Sequence, residues 1–521
     1  MNKAVDVIIV GAGHNGLVSA ILLARAGLKV VVLEEKDVVG GAAKTEFPFT
    51  KVPNLGTSTG AYLLGVMPPE LITKLGIELP LLRRDPHYFL PTTGKGYLLF
   101  GSDRDAMRNQ FISFFSEADW LANKALTEEI EKIRDDIAPT WLQEPYSIEE
   151  TAERYVRPEL RKIFIDLCRK PVGEYINRFG FKSDLVKAMY AVTDGFSGLF
   201  GSWDTPGSGM NFLVHNMCRL PGSDGTWMIV KGGMGTITKT LADTARKAGA
   251  EIITGQKVSS IDVQGGVTTG VTLTDGSQLH AKSVVVNADP FRLQALIGAD
   301  QLPAAYNSRI ENYKRPGSTF KVNLALKGLP KFTCLPEDRG QYGTTIHLLP
   351  VEQEVMQSLK DGFSAVQEGK LIPFPTIEWY IHTTVDPSLR DAAGHHNSAL
   401  FVQWVPYELS GTTWEAEEER YVKQLLSICD RFAPGTSDLV ADTFPLHPKK
   451  IESHFGITNG HIHHVDNTFG FSDRLPYATP VQGVYSASAG THPAGSVIGC
   501  GGHNAAIRLL KDLGIKDQNN D

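Results

Sequence analysis

A glycine-rich turn between two apolar strands lies within the first 41 residues and constrains the fold most strongly. The apolar run Val5–Val10 leads into the turn Gly11–Gly16, and a helical segment follows. A second predicted strand, Lys29–Leu33, with the apolar run Val30–Leu33, ends at Glu34. Continuous apolar runs are typical of strands that are covered on both faces of a parallel sheet. The order of these parts therefore predicts a β–α–β unit of a doubly wound sheet.

The glycines and the acid of this unit have separate roles. Gly11 allows a tight turn, Gly13 leaves room for a pyrophosphate at the backbone, and Gly16 lets the helix pack closely on the strand. The helix begins at the turn, where its free N–H groups and the positive end of its dipole favour phosphate. Glu34 can accept hydrogen bonds from a ribose. We predict a dinucleotide-binding unit, because glycines that serve packing alone would not explain the acid.

Composition excludes several classes of function. The chain has 521 residues, more than one ordinary core accommodates, so we expect two domains. The formal net charge of -7 gives no basic surface, and we expect no nucleic-acid partner. The five cysteines are dispersed and never form a Cys-x-x-Cys pair. This spacing argues against a disulfide scaffold, a zinc site and a redox-active dithiol, and we expect no metal site.

The sequence shows no targeting segment. The chain enters its first strand almost at once, without a charged and then apolar leader, and no uncharged run is long enough to cross a bilayer. We therefore expect a cytoplasmic protein and leave peripheral contact with a membrane open. The aromatic and glycine-rich stretch 195–203 has two interpretations. It lines a substrate entrance or dips into a membrane, or it is a buried loop.

The pattern of predicted strands and helices changes along the chain and indicates two domains. Residues 1–85, 225–300 and 456–521 have the alternation of strands and helices that a nucleotide-binding domain needs. Residues 86–224 and 301–455 lack a nucleotide signature and are predicted to form an inserted substrate domain of mixed α+β structure. The predicted fold is α/β, α+β overall, with a Rossmann-like domain interrupted by this insertion.

Two further glycine-rich segments need interpretation. The turn Gly232–Gly235 lacks the Gly-x-Gly-x-x-Gly spacing, and the strand after its helix ends without an acid, so a plain strand-to-helix turn is favoured. Residues 483–513 are predicted as a strand, a loop of small residues and a helix whose first turn is also small. Such a helix start can approach a planar, electron-rich ring system.

Taken together, these motifs resemble the phytoene desaturase-like flavoproteins of the amine oxidase-type FAD superfamily. Within it, the chain is most similar to the pyridine nucleotide-disulfide oxidoreductase domain-containing protein 2 group and to the carotenoid ketolase/isomerase branch. The resemblance covers nearly the whole chain, with all motifs in family order. The motifs are residues 5–41, Gly40–Glu46, Thr205–Gly209, Gly232–Thr236, Val285–Pro290 and Ala489–Pro493.

The resemblance implies a bound FAD and a set of residues around it. Two positions depart from the family pattern: Ser488 and Ala494 stand where relatives usually carry glycine, so a hydroxyl and a methyl would lie close to the cofactor. By matching positions, Gly11, Gly13 and Gly16 would hold the pyrophosphate, and Glu34 would hold the adenosine ribose, with Lys36 and Gly41 in the same groove. Val258 would contact the adenine, and Ala288 would lie near the adenine–ribose end. Gly490 and Val497 would lie near the pyrophosphate and the flavin.

Catalytic residues are harder to read from the sequence. His492 is the candidate, as a proton relay or a substrate contact, because its loop is expected to face the flavin. The alternative is a structural histidine of the same loop. His461, His463 and His464 form a cluster that could imitate a metal pair. No nearby acid or cysteine completes a ligand set, so we expect exposed or strand-packed histidines instead of a metal.

The resemblance also implies the function. We expect an FAD-dependent oxidoreductase that dehydrogenates a small apolar, isoprenoid- or carotenoid-like substrate by hydride transfer to flavin. One alternative is a redox-neutral polyene cis–trans isomerase or a carotenoid ketolase that uses FAD. Another is an FAD-containing protein that acts mainly through protein partners, for which the predicted amphipathic helices 119–137 and 148–170 would form the surface. A homodimer is left open.

Overall fold

The computed structural model describes residues 5–350 and 354–516, and two seven-stranded sheets organise them. The strands are β1 (Val5–Val10), β2 (Val30–Leu33), β3 (Thr45–Glu46), β4 (Thr57–Ser58), β5 (Leu81–Leu82), β6 (Tyr88–Pro91), β7 (Tyr97–Phe100), β8 (Ile229–Val230), β9 (Glu251–Ile253), β10 (Val258–Gln264), β11 (Val267–Leu273), β12 (Gln278–Val286), β13 (Thr319–Leu326), β14 (Thr345–Leu348), β15 (Thr376–Tyr380), β16 (His396–Gln403), β17 (Val440–Leu446) and β18 (Val484–Ser486).

Helices fill most of the chain between the strands. The α-helices are α1 (His14–Arg25), α2 (Pro69–Leu75), α3 (Arg104–Phe114), α4 (Glu117–Ile137), α5 (Ile148–Tyr155), α6 (Arg161–Arg169), α7 (Val172–Asn177), α8 (Asp184–Tyr190), α9 (Ser208–His215), α10 (Gly235–Lys247), α11 (Pro290–Ile297), α12 (Ala304–Asn312), α13 (Val355–Gln367), α14 (Trp414–Phe432), α15 (Thr436–Leu439), α16 (Pro448–Phe455) and α17 (Cys500–Asp512).

The first sheet contains the predicted β–α–β unit. Six of its strands run in the order β10-β11-β12-β1-β2-β9, and the seventh, β18, pairs with β12. β1 pairs in parallel with β2 and β12, so that Val7 lies opposite Val30 and Ser283. Strands from three separated parts of the chain therefore build one sheet. The predicted α/β architecture is confirmed.

Helices cover both faces of this sheet. Val7 and Ile9 of β1 belong to an apolar cluster that includes Leu17 of α1 and Leu241 of α10. Ile8 belongs to a different cluster, which contains Leu293 of α11. Successive residues of a strand point to opposite faces of a sheet, so β1 is buried on both sides. This explains the continuous apolar run in the sequence.

The second sheet has one apolar and one polar face. Its strands run in the order β17-β13-β16-β15-β14-β6-β7, and all neighbours are antiparallel except β14 and β6. Val322 and Leu400 of the apolar face pack in a cluster with Tyr421 of α14. Lys321 and Glu378 lie on the polar face, yet they are buried too. That polar face forms part of the cavity described below.

The helices α3 to α9 form a layer with a core of its own. The predicted helix 119–137 is α4, whereas the predicted helix 148–170 is divided into α5 and α6, because Pro158 cannot continue a helix. Phe196 is fully buried, and its ring centroid lies 4.7 Å from that of Trp404. The structure thus favours a buried loop at 195–203. No helix within the described ranges combines the length and the apolar character needed to cross a bilayer.

Candidate active site

A single cavity of about 650 Å³ connects the glycine-rich turn with the second sheet. Its walls include Val10 and Leu33, the last residues of two parallel strands, and Asn287, which follows a third. In open α/β sheets, ligands bind outside the carboxyl ends of the strands. The cavity then continues to Lys321 and Glu378 of the second sheet. One space therefore joins the predicted nucleotide unit to the predicted substrate domain.

The turn at the start of α1 is closely packed. Gly11 has a φ of +94°, which favours glycine, and a Cβ at Gly16 would lie 2.2 Å from the Gly11 carbonyl oxygen. A Cβ at Gly13 would lie 2.7 Å from the Asn287 side-chain amide. With its amide oxygen directed at the turn, Asn287 accepts hydrogen bonds from the N–H groups of Gly13 and Gly16, at 3.1 Å each. The predicted packing role of Gly16 is confirmed by this geometry.

Glu34 holds the end of β2 against the same turn. One carboxylate oxygen accepts a hydrogen bond from Ala12 N at 2.7 Å, and the other accepts from Lys36 N at 3.0 Å. The side chain is only 6% exposed and lies in the cavity wall. Two backbone donors therefore fix the position of the carboxylate in the wall.

The structure divides the cofactor-binding residues predicted from the sequence into two groups. Gly16 lies beneath the turn, Lys36 pairs at the surface with Glu35 at 3.6 Å, and the Gly490 carbonyl accepts a hydrogen bond from Arg474. These three do not line the cavity, and their contact with a cofactor stays a prediction. The residues that do line it are Gly11, Gly13, Glu34, Gly41, Val258, Ala288 and Val497.

The small residues at the start of α17 serve helix packing. A Cβ at Gly502 would lie 2.0 Å from the Asn15 carbonyl oxygen of α1, and one at Gly501 would lie 2.7 Å from the Ser488 carbonyl oxygen. Ser488 Oγ accepts a hydrogen bond from Gly490 N at 2.8 Å. Ala494 is buried in an apolar cluster. The Ser488 hydroxyl and the Ala494 methyl, which depart from the family pattern, are therefore accommodated inside the protein.

His492 lies outside the cavity wall. Its Nε2 is 2.9 Å from the Thr140 carbonyl oxygen, its own carbonyl accepts a hydrogen bond from the Tyr477 hydroxyl, and its ring packs against Phe471. Burial lowers the pKa of His492 to about 4, so the imidazole is neutral at physiological pH. These contacts match the structural alternative, and they give the proposed proton relay no access to the cavity.

The histidine cluster is buried in a turn. His461 Nε2 lies 3.1 Å from the Asp466 carboxylate, and both side chains are nearly inaccessible. His463 and His464 line the cavity, and burial lowers the pKa of each. The expectation that these histidines are exposed or strand-packed is wrong, because the turn folds inward. Within the described ranges, no group of three potential ligands is arranged to hold a metal.

Sequence reasoning missed the polar end of the cavity. Lys321 Nζ donates hydrogen bonds to the carbonyls of Ser58 and Gly60 and lies 4.4 Å from the centroid of the Tyr62 ring. Burial lowers the pKa of this ammonium well below its ordinary value. The neighbouring side chains that also line this end are Arg84, Thr193, Asp194, His215, Thr345, Glu378 and Tyr380.

Two buried carboxyl groups have pKa values shifted toward neutrality. Burial raises the pKa of Glu378 to about 7, although Tyr380 donates a hydrogen bond to its carboxyl group. Burial likewise raises the pKa of Asp194 to about 7. Perturbed acids in a cavity are typical of functional sites. Both groups can exchange a proton near physiological pH.

Comparison with known proteins identifies the family. Residues 16–354, more than half of the chain, match the family model described as flavin containing amine oxidoreductase. The chain belongs to the flavin-containing amine oxidoreductase family. As a member of this family it is an FAD-dependent oxidoreductase, and the resemblance found in the sequence is confirmed.

Relatives of this amine oxidoreductase cover nearly its whole length. Pyridine nucleotide-disulfide oxidoreductase domain-containing protein 2 of Mus musculus is 32% identical, over 98% of this chain and 94% of the relative. Phytoene desaturase of Neurospora crassa is 24% identical, over 94% and 82%. The solved structure of an oxidoreductase from Methanosarcina mazei has a TM-score of 0.63 at 19% identity, covering 97% of this chain and 100% of the other. The last match shows a shared fold.

The cavity of the amine oxidoreductase fits a dinucleotide cofactor. His14 Nε2 is buried without a hydrogen-bond partner among the described residues, and Arg292 Nε has only the Asp289 carboxylate at 3.9 Å, beyond hydrogen-bond distance. Both side chains line the cavity near the turn. A buried donor without a partner requires an explanation, and a polar ligand provides one. Phosphate and ribose oxygens of FAD would satisfy such donors.

Proposed function

We propose that this protein dehydrogenates an apolar, isoprenoid-type substrate. The continuity of the cavity carries the proposal, because its wall includes both the turn at Gly11–Gly13 and side chains of the second sheet. A cofactor at the turn and a substrate at the second sheet would share one continuous space. The similarity to a phytoene desaturase supports a substrate with an isoprenoid skeleton.

The cavity wall supports an assignment of residues to FAD. We propose that the domain formed by residues 1–85, 225–300 and 456–521 binds it, with the inserted segments forming the substrate domain. All strands of the first sheet come from the three named ranges. The pyrophosphate would lie at Gly11 and Gly13, the ribose in the groove of Glu34 and Gly41, the adenine beside Val258 and Ala288, and the flavin near Val497.

The substrate end provides apolar walls and a base. Leu63, Trp227 and Phe401 line it and can pack against a carbon skeleton. FAD, when bound, supplies the acceptor for a hydride. Formation of a carbon–carbon double bond also releases a proton from the neighbouring carbon. Lys321 can accept it, since burial lowers its pKa and favours the neutral amine.

Anaerobic mixing tests this proposal. The purified protein, loaded with FAD, is mixed with phytoene and, in a parallel sample, with geranic acid, in detergent micelles without oxygen, and the visible absorbance of the flavin is followed. Bleaching together with a desaturated product is the expected result. A product without net bleaching would instead support a redox-neutral isomerase, and unchanged substrate with unchanged absorbance would reject an isoprenoid of this kind.

A further inference from the structure

Arg84 is a buried cation without a buried anion in contact. Its side chain is 5% exposed and lies in the cavity wall. Nε donates to the Trp227 carbonyl at 2.9 Å, and Nη1 donates to the Thr345 hydroxyl at 2.9 Å and the His87 carbonyl at 3.4 Å. All these partners are neutral oxygens. Within the described part of the chain, Arg84 forms no ion pair with a carboxylate.

Burial of the Arg84 guanidinium without a neighbouring anion costs free energy, which a bound anion would offset. Removing an arginine from water carries a penalty of several kcal/mol, which a close anion normally offsets. Glu378 and Asp194 line the same end of the cavity, but neither contacts Arg84. Burial favours the protonated form of both acids. Arg84 therefore presents a positive charge to the cavity without an ion-pair partner, and Glu378 acts on it only through its longer-range charge.

Glu378 provides a second polar group in the wall of the same cavity. Its carboxyl accepts a hydrogen bond from the Tyr380 hydroxyl, and the Tyr380 ring packs 4.7 Å from that of Tyr62. These contacts hold the carboxyl in place. In its protonated form it has an O–H that can donate to a second oxygen. Hydrogen bonds of this kind to an ionised oxygen are short and strong.

Apolar side chains form the cavity wall beside Arg84. Leu63 and Phe401 form an apolar cluster with Tyr380, and Trp227 packs against it. These side chains line the cavity next to Arg84. An apolar skeleton can therefore pack here while its polar end reaches the guanidinium.

We propose that the substrate carries a carboxylate at one end of its apolar skeleton and that Arg84 and Glu378 bind this carboxylate. The inference rests on the proposed function, and it narrows the substrate class to apolar acids. The guanidinium donates to one carboxylate oxygen and the Glu378 O–H donates to the other. An ammonium group in this position would lie against the Arg84 cation and would require ionised acids.

A ligand series with one skeleton and four end groups tests the inference. Geranic acid, geraniol, geranylamine and myrcene share a ten-carbon isoprenoid skeleton. Each is titrated into the oxidised FAD-loaded protein, and binding is followed by the flavin spectrum and by tryptophan fluorescence, to which Trp227 of the cavity wall contributes. Geranic acid is expected to bind more tightly than geraniol by about 10-fold to 100-fold, the value of hydrogen bonds to a charged group.

Neighbouring arginines provide matched variants. Arg84→Gln is expected to lose about 10-fold to 100-fold in affinity for geranic acid and to change geraniol binding little. Arg83→Gln is the control, because Arg83 pairs with Asp224 at 3.5 Å and lies outside the cavity wall. Glu378→Gln keeps a neutral donor and is expected to retain geranic acid, and it serves as the second test if Arg84→Gln fails to fold.

Several results would overturn the inference. Tighter binding of geranylamine, equal binding of all four ligands, no binding of any, or equal losses in the two arginine variants would each reject a carboxylate site. Bleaching by a hydrocarbon as fast as by an acid would leave the proposed dehydrogenation intact and reject the carboxylate. Selective binding of geranic acid without bleaching would support the carboxylate site and reject the proposed dehydrogenation.

Discussion

Replacement of Gly16 by alanine should separate cofactor binding from general stability. The new Cβ would lie 2.2 Å from the Gly11 carbonyl oxygen and 3.1 Å from the Asn287 Cβ. The two backbones must therefore move apart by about 1 Å to reach a normal van der Waals distance. Overpacking of this kind costs about 1–3 kcal/mol of unfolding free energy.

The same displacement affects the helix start that faces the cavity. A shift of about 1 Å moves the first N–H groups of α1 out of hydrogen-bond range of a phosphate, and each lost bond to a charged group costs about 1.5–3 kcal/mol. We therefore expect FAD affinity to fall by at least about 10-fold. Flavin retained after gel filtration, the FAD dissociation constant and the melting temperature are measured together.

Gly27→Ala is the matched control for this variant. Gly27 belongs to the same β–α–β unit and has a φ of +86°, but a Cβ there would meet nothing within 4 Å. It should cost about 1–2 kcal/mol through backbone strain alone and leave the flavin bound. If Gly16→Ala retains FAD as well as Gly27→Ala does, the close packing of the turn has no part in cofactor binding.

Three further variants test other parts of the cavity. Folding raises the pKa of Glu378 from 4.5 to about 7, so the folded state binds the extra proton, and unfolding free energy should fall by up to about 3 kcal/mol as pH rises through this interval. Arg84, Asp194 and Tyr380 face this carboxyl. In denaturant titrations from pH 4 to pH 8, Glu378→Gln should remove the part of the decrease in unfolding free energy that Glu378 causes. Asn287→Asp keeps an acceptor for Gly13 and Gly16 but adds a negative charge, so it should keep its melting temperature and lose FAD affinity by equilibrium titration; unchanged affinity would contradict a phosphate at the turn. Lys321→Met should retain FAD and slow anaerobic flavin bleaching at least about 100-fold, whereas an unchanged rate would exclude Lys321 as the base.

The sequence predicts the first sheet well because its signals are local. The parts from Val5–Val10 to Glu34 occur in order within about 30 residues, and each has a direct physical reason. The helix at the other end of the chain, α17, is also predicted, although Gly502 packs on α1, Gly501 packs on the Ser488 carbonyl, and neither lines the cavity. Local patterns therefore predict the elements, and the partner of each face comes from the tertiary structure.

The polar end of the cavity could not be predicted in this way. Arg84, Asp194, Lys321 and Glu378 come from four distant parts of the chain, and each is unremarkable in its own segment. The alternation in β13, where Lys321 and Asn323 interrupt apolar residues, is typical of a strand with one solvent-exposed face. Here that face is buried, because the segment 58–60 covers it and its carbonyls accept hydrogen bonds from Lys321 and Asn323. The surroundings of His492 could not be predicted for a related reason, since its ring contacts the Thr140 carbonyl, 352 residues earlier in the chain.

The pairing of β18 with β12 has a consequence for biosynthesis. Val284–Val286 pair on one side with β1 and on the other with Val484–Ser486, nearly 200 residues later in the chain. On the ribosome, this edge stays open until most of the protein has been made, and an unpaired edge is a template for wrong partners. Val497, which completes the cavity wall, follows later still. Completion of the sheet and of the cavity wall is therefore a late event in synthesis, and until β18 has paired, the nascent sheet depends on protection from other chains.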